Sequence, residues 1–338
     1  MKIKISAIEE KIISSLVKRG LNNNEAKIIC DTLVEAECIG KKTHGISKLF
    51  LTESGIKLRE GKPEIIKNKG NYVLIDAHKE LGYLVANLAT DLLIEKTKEF
   101  DNGIVAIKNS FNYSMAGIYA KKVAKAGFVS LILNNGGPAA ITPFGGTDPL
   151  FGTNPIAIGI PTRTEPIILD MATSEKPWGE INLAKIEKRS LQEKTFLNNE
   201  GKFTTDPDKV NAIIPFGGYK GSGLNIMFEI MTGALVGAKM GLATQDSYDL
   251  GYLFLAYSPT MFTTQEKFYD EVEQLVKEIK NSKKMENVKE IYLPGENSLE
   301  QYKKTIDIGE IEIEENIWQH LCEFEQGIDI ETKSNLKA

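Results

Sequence analysis

The sequence predicts an α/β protein built on a buried sheet, and three observations carry that prediction. Five short runs, 72–76, 103–107, 129–133, 154–160 and 166–170, are too apolar to be strands with one solvated face. Segments with the three- and four-residue recurrence of helices fall between and after them, at 83–99, 116–126 and 224–239. Glycine- and proline-rich connectors separate the two kinds, as in Asn134-Asn135-Gly136-Gly137-Pro138 and Pro143-Phe144-Gly145-Gly146.

The elements follow in order. Ile8, Ile12, Ile13, Leu16 and Val17 mark an opening helix that Gly20 closes, and Asn22 to Asn24 precede a second periodic run over 26–39. Beyond Thr43-His44-Gly45, the residues Ile46, Leu49, Phe50 and Leu51 predict a third helix capped by Thr43 and ending near Gly55. His44 and Lys48 would then share one face. The sheet and its helices occupy the middle of the chain. A charged helix over 265–284 and a short strand at 290–293 lead to Pro294-Gly295-Glu296-Asn297. The expected division is an N-terminal helical part, 1–65, an α/β part, 70–262, and a C-terminal helical part, 263–338, that packs back on the first. No internal repeat or low-complexity tract interrupts it.

Composition narrows the class. At 338 residues, 42% hydrophobic and 26% charged, the chain can bury a large core. Its net charge of −5, with basic and acidic residues interspersed, argues against nucleic acid as a partner. No stretch approaches membrane-spanning length and the N-terminus has no apolar signal core, so the expected location is the cytoplasm and no membrane partner is expected. Cys30, Cys38 and Cys322 are odd in number and lack metal spacing, which predicts reduced thiols.

The densest chemistry lies in Pro215-Phe216-Gly217-Gly218-Tyr219-Lys220-Gly221-Ser222-Gly223, just before a helical pattern. Glycines permit close approach of backbone N–H groups, a helix start adds partial positive charge, and one lysine stands among them. That suits an anion such as a cofactor phosphate. A glycine-rich turn before a core helix has the same local appearance, and neither the dinucleotide fingerprint nor the P-loop pattern is present.

These residues join a longer ordered set: Thr43-His44-Gly45-Ile46, Asn109-Ser110, Gly152 to Ala157, Leu169-Asp170-Met171-Ala172-Thr173-Ser174, Thr204-Thr205-Asp206-Pro207, the glycine run, and Leu293-Pro294-Gly295-Glu296. In order and spacing the set resembles the malate/L-lactate dehydrogenase family of the second type over nearly the whole chain. The resemblance implies a non-Rossmann NAD(P)-binding fold with a mixed β-sheet and helical parts at both ends. It also implies a homodimer with NAD or NADP as cofactor, acting on a small anionic 2-oxo or 2-hydroxy acid or on a cyclic imine bearing a carboxylate.

The resemblance gives His44 the acid/base role, for which imidazole is suited near neutral pH. Thr43 stands where relatives carry serine, and Lys48 where they hold the substrate carboxylate with arginine; the charge is kept and the bidentate fork lost. Asn112 occupies the place of a second family histidine. An amide can orient a carbonyl but cannot exchange a proton at neutral pH. Phe111 replaces a family asparagine and is expected to alter pocket shape. His78 and His320 read as surface or packing residues. Glu180 has two readings, a carboxylate supporting His44 as in imine-reducing relatives, or a charge at a helix start.

Along the cofactor the resemblance places Asn134, Asn135 and Gly136, then Asp170, Met171, Ala172, Thr173 and Ser174, then Tyr219 and Lys220, and finally Gly295, Glu296 and Asn297 toward the adenosine end. No metal is expected, because no cluster has ligand spacing and hydride transfer needs none. A second class of function is a dinucleotide-binding protein that has lost catalysis, motivated by residues 48, 111 and 112. Retention of His44, Lys220 and the turn after Asp170 opposes it.

Overall fold

The computed structural model describes residues 1–328; the end of the expected C-terminal part, 329–338, lies outside the described residues. Strand β1 (Lys2–Lys4) leads into α1 (Ile5–Lys18) and α2 (Asn23–Cys38). Ile8, Ile12 and Leu16 recur every fourth residue and are fully buried, which fixes the inward face of α1. A capping box starts α2: Asn22 Oδ1 accepts the Glu25 N–H at 3.0 Å, and Glu25 Oε2 accepts the Asn22 N–H at 3.1 Å.

The third helix departs from expectation. Two 3₁₀ turns, Lys42–His44 and Ile46–Lys48, precede α3 (Leu49–Leu58), which runs through Gly55. Thr43 caps nothing. Glu37 Oε2 instead accepts the Ile46 N–H at 3.0 Å, and a Cβ on Gly45 would overlap that oxygen. The helix therefore breaks at Gly45, so His44 and Lys48 do not lie on a continuous helical face.

The middle of the chain contains β2 (Glu64–Lys69), β3 (Tyr72–Asp76), α4 (Gly82–Phe100), β4 (Asn102–Ser110), α5 (Ala116–Lys125), β5 (Val129–Asn134), β6 (Ile156–Ile160) and β7 (Ile167–Met171). After α6 (Gly179–Glu187) come a small antiparallel sheet of β8 (Phe196–Leu197), β9 (Phe203–Thr204) and β10 (Ala212–Ile213), then α7 (Tyr219–Thr232) and β11 (Leu250–Tyr257). The main sheet has the order β2-β3-β4-β11-β5-β6-β7. It is mixed: β3 and β4 are parallel, and every other pair is antiparallel. Val105, Ile107, Ile132, Tyr252 and Phe254 form its core with the buried faces of α4 and α5.

Strand β11, absent from the five expected, occupies the centre of the sheet. Its register sets Leu250 against Ser110 and Tyr252 against Asn134, while Ile156 faces Leu133 on one side and Met171 on the other. The ends of β4, β5 and β7 and the starts of β6 and β11 thus share one edge. That edge gathers segments distant in sequence.

The chain closes with α8 (Gln265–Asn281), α9 (Glu296–Ile308), β12 (Glu310–Glu312) and α10 (Glu315–Glu325). Residues 290–293 form no strand, having no neighbour in a sheet. β12 pairs antiparallel with β1, the Met1 ammonium donates to the Ile313 carbonyl at 2.6 Å, and Arg19 Nη1 donates to the Phe324 carbonyl at 2.7 Å. Ile311, Ile313, Leu321 and Phe324 enter one apolar core with α1 and α2. Among the described residues no helix is long and apolar enough to cross a membrane, and Cys30 and Cys38 are buried, unbonded thiols pushed up to about 12 and about 11 by loss of solvent.

Candidate active site

His44 is half-buried at the end of the first 3₁₀ turn, with Thr43 Oγ1 3.0 Å from its Nδ1. Burial, then the charges of Lys48 and Lys41, push its pKa down to about 3. The free protein therefore favours the neutral imidazole. Burial also holds the Lys48 ammonium below the ordinary lysine range. Among the described residues, neither Lys48 nor Lys41 has an ion-pair partner, whereas neighbouring Lys42 lies 3.6 Å from Glu314.

The loop after β4 closes over this group. Ser114 Oγ donates to the His44 carbonyl at 2.6 Å, and Asn112 Oδ1 accepts the Ser114 N–H at 2.8 Å. Asn109 and Ser114 both have left-handed backbone, with φ of 55° and 75°. Such conformations cost energy in non-glycine residues, and here hydrogen bonds to Asp76 and His44 hold them. Asn112 thus belongs to the loop that Ser114 ties to the His44 carbonyl, with its own side-chain carbonyl committed to the Ser114 N–H. Phe111 is a core residue, 4% exposed and stacked on Tyr248 at 5.0 Å.

Asp170, at the end of β7, reaches the same place from the sheet. Its Oδ2 accepts the Gly117 N–H at 2.8 Å in the first turn of α5. Burial raises its pKa to about 6, opposed by that hydrogen bond and by the charge of Lys41. Glu180 opens α6, and its carboxylate lies 2.9 Å from Arg189; no carboxylate is among the charges that act on His44. The structure therefore gives Glu180 the helix-start position and not the support of His44. Its neighbour Gly179 does touch the site, since a Cβ there would come 2.7 Å from Thr43 Cγ2.

The segments expected along the cofactor meet at the sheet edge. Thr173 Oγ1 donates to the Thr153 carbonyl at 2.9 Å and accepts from Asn225 of α7 at 2.8 Å. Its carbonyl takes the Phe216 N–H, and Ser174 bridges to Pro215. The turn from Asp170 through Met171, Ala172 and Thr173 to Ser174 is in this way bound to the glycine run that carries Tyr219 and Lys220. Beneath them, Asn154 Nδ2 donates to Asn225 Oδ1 at 2.8 Å and to Glu229 at 2.6 Å, a buried network with no counterpart in the sequence reading. Its only sequence signal is three polar residues in otherwise apolar surroundings.

Several of the expected contacts are committed within the protein. Asn134 and Asn135 are buried, and their amides serve the protein: Asn134 Oδ1 accepts from Tyr113, while Asn135 binds the Gly251 N–H at 2.8 Å and the Lys239 carbonyl at 3.0 Å. Gly136 is required because a Cβ would overlap Thr153 Oγ1. Lys220 is not in the turn but in the first turn of α7, and the Gly221 and Ser222 N–H groups are spent on Phe216 and Gly218 at 3.0 and 3.2 Å. The helix start therefore offers the exposed Lys220 ammonium and its dipole in place of a cradle of free N–H groups. At the far end, Gly295 packs against Ile168, Glu296 is held by Lys280 at 2.7 Å, and Asn297 is exposed.

The sequence profile described as malate/L-lactate dehydrogenase matches residues 3–322. L-sulfolactate dehydrogenase of Methanocaldococcus jannaschii is 35% identical over 337 residues, covering 96% of this chain and 97% of that protein. Malate dehydrogenase of Pyrococcus horikoshii is 31% identical over 339 residues, covering 95% and 93%. The solved structure of the Methanocaldococcus jannaschii sulfolactate dehydrogenase superposes with a TM-score of 0.88 at 33% identity, over 98% of this chain and 99% of that one. Other relatives include both NAD⁺- and NADP⁺-dependent dehydrogenases. With a profile spanning nearly its whole length and the same fold end to end, the chain belongs to the malate/L-lactate dehydrogenase family.

Proposed function

We propose that the protein is an NAD(P)-dependent dehydrogenase interconverting a small 2-oxo acid and its 2-hydroxy acid, with His44 as general acid and base. One observation supports the reading: a neutral imidazole lies near a desolvated ammonium without a carboxylate partner, and the loop of Asn112 is tied to the imidazole's own residue through Ser114. The nicotinamide, when bound, supplies or accepts the hydride. Lys48 takes the substrate carboxylate as a point charge, and Asn112 Nδ2 donates to the oxygen of the reacting carbon. In oxidation, neutral His44 is ready to take the hydroxyl proton. In reduction, the arriving anion cancels the lysine charges that depress the ring, so substrate binding favours the protonated donor.

Thr173, Ser174 and the Lys220 ammonium fit a dinucleotide running along the sheet edge. Lys220→Ala is expected to weaken binding of the preferred cofactor roughly tenfold to 150-fold, the range for a hydrogen bond to a charged group. Titration of NADH and NADPH by fluorescence checks it, and unchanged affinity removes Lys220 from the site. The same reading carries a homodimer in the cytoplasm. Leu224, Met227 and Ile230 form an apolar row on α7 that is 38%, 55% and 48% exposed, as expected of a face covered by a second copy. The deciding experiment is a panel of 2-oxo acids and cyclic imine carboxylates with both reduced cofactors, followed at the nicotinamide absorbance. Turnover of imines alone moves the substrate to that class; turnover of none leaves a binding protein.

A further inference from the structure

Asp170 is a carboxylate at the sheet edge that the proposed reaction leaves without a task. It heads the turn that ends at Ser174, and its side chain leaves the sheet for the start of α5. There Oδ2 accepts the Gly117 N–H at 2.8 Å, and a Cβ on Gly117 would come 2.7 Å from that same oxygen and 3.0 Å from Asp170 Cβ. Glycine is therefore required where the carboxylate meets the helix, and a helix start favours negative charge. From this joint two links run to the layer of His44. Tyr119 in α5 donates its hydroxyl back to the Tyr113 carbonyl at 3.3 Å, holding the loop whose Ser114 hydroxyl grips the His44 carbonyl at 2.6 Å. Further along α5, Lys121 Nζ lies 2.7 Å from Glu35 of α2, the helix that leads to His44. The turn after Asp170 has anchors of its own, since Thr173 is bonded to Thr153, Asn225 and Phe216.

We propose that Asp170 is a positioning residue: it fixes the start of α5 and, through Ser114, the place of His44 relative to the turn expected along the cofactor. This rests on the acid/base reading of His44 above. It separates Asp170 from the cofactor contact that the sequence resemblance implies for it. The joint needs only an acceptor for one backbone N–H, which asparagine supplies and alanine does not.

The test measures kcat, cofactor affinity and the urea midpoint in full-length Asp170→Ala, Asp170→Asn and Gly117→Ala, using the 2-oxo acid that the wild type turns over fastest in the panel above. Asp170→Ala is expected to lower kcat about tenfold to 100-fold, the effect of a misplacement near 1 Å, while fluorescence titration of NADH and NADPH is unchanged. Asp170→Asn should restore most of the loss. Gly117→Ala should lower kcat in the same way, and adding it to Asp170→Ala should cost little more, because both changes break one joint. If Asp170→Ala does not fold, Gly117→Ala against wild type decides on the same readouts. Unchanged kcat, a parallel loss of cofactor affinity, or Asp170→Asn as impaired as Asp170→Ala overturns the assignment and leaves His44 in its role. Full kcat in His44→Asn, or a wild type that turns over no 2-oxo acid, sinks the reading itself and the assignment with it.

Discussion

Replacing His44 by Asn is expected to lower kcat for carbonyl reduction by about 10²–10⁴, the usual contribution of a positioned general acid, while cofactor titration is unchanged. Asparagine fills similar space but cannot carry the proton, and Asn112 beside it is equally unable to titrate. The pH profiles give the sharper reading. A donor must be protonated, so the rate falls as pH rises through its pKa. In the free protein that pKa is pushed down to about 3. The limb in kcat/KM should therefore already be falling across the neutral range, whereas the limb in kcat, which reports the substrate complex, should begin at higher pH because the bound anion offsets Lys48. Both limbs should vanish in His44→Asn. A variant that keeps full kcat and an unchanged limb places the proton elsewhere, with Asp170, raised to about 6, the next group to examine.

The Gly82→Ala change is expected to destabilise the protein by about 3 kcal/mol, the upper end for overpacking, although Ala is the better helix former. Gly82 opens α4 directly under the loop that closes the site. A Cβ there would overlap the Phe111 carbonyl oxygen and come within 2.5 Å of the Asn112 carbonyl, both of them backbone groups with little room to yield. The loop must then shift, and with it Asn112 and the Ser114 hydroxyl that grips the His44 carbonyl. Urea unfolding should show a lower midpoint, and kcat should fall in the fraction that remains folded. Gly223→Ala provides the contrast, since that helical position has nothing within 4 Å of a new Cβ. It should be neutral or stabilise by about 0.5–1 kcal/mol. Similar midpoints for the two variants would mean that the clash under the loop is relieved at no cost.

The legible parts of the sequence are those with a local signal. The helices α1, α2, α4, α5 and α8 and the strands from β3 to β7 announce themselves by period or by apolar runs bounded with glycine and proline. β11 was less accessible: an eight-residue run buried on both faces has no alternation, and its partners β4 and β5 lie more than a hundred residues away. β2 has every residue exposed, so there was no buried face to read. The early start of α7 runs against propensity, because Gly221 and Gly223 are poor helix formers, and the first is explained only by the Phe216 carbonyl that occupies the place of a side chain.

The site divides the same way. His44, Lys48 and Asn112 were singled out by their place in a resembling order; in the structure the charge of Lys48 acts on His44, and Ser114 ties the loop of Asn112 to the His44 carbonyl. The partner of Glu180 and the inward burial of Phe111 depend on which elements pack against which. Arg189 is close to Glu180 in the chain, but nothing in the residue types says that the carboxylate prefers it to His44. Side-chain direction is a tertiary property. The Asn134 and Asn135 amides make the point from the other side, since polar residues at a strand end read equally well as ligand contacts or as internal braces.

The joining of β1 to β12, with Phe324 and Leu321 seated among the side chains of α1 and α2, has a consequence for how the protein comes into being. The layer that holds His44 is completed by residues made long after it. At translation rates of roughly 5–20 residues per second, the segment around His44 waits some fifteen seconds to a minute for the strand and helix that finish its core. During that interval Ile8, Ile12 and Leu16 lack part of their native cover, a state in which chaperones or the nascent sheet must shield them. A fragment truncated before β12 would therefore carry every strand of the main sheet but an unfinished core around the helices that lead to His44, so the sheet and the His44 layer mature at different moments of synthesis.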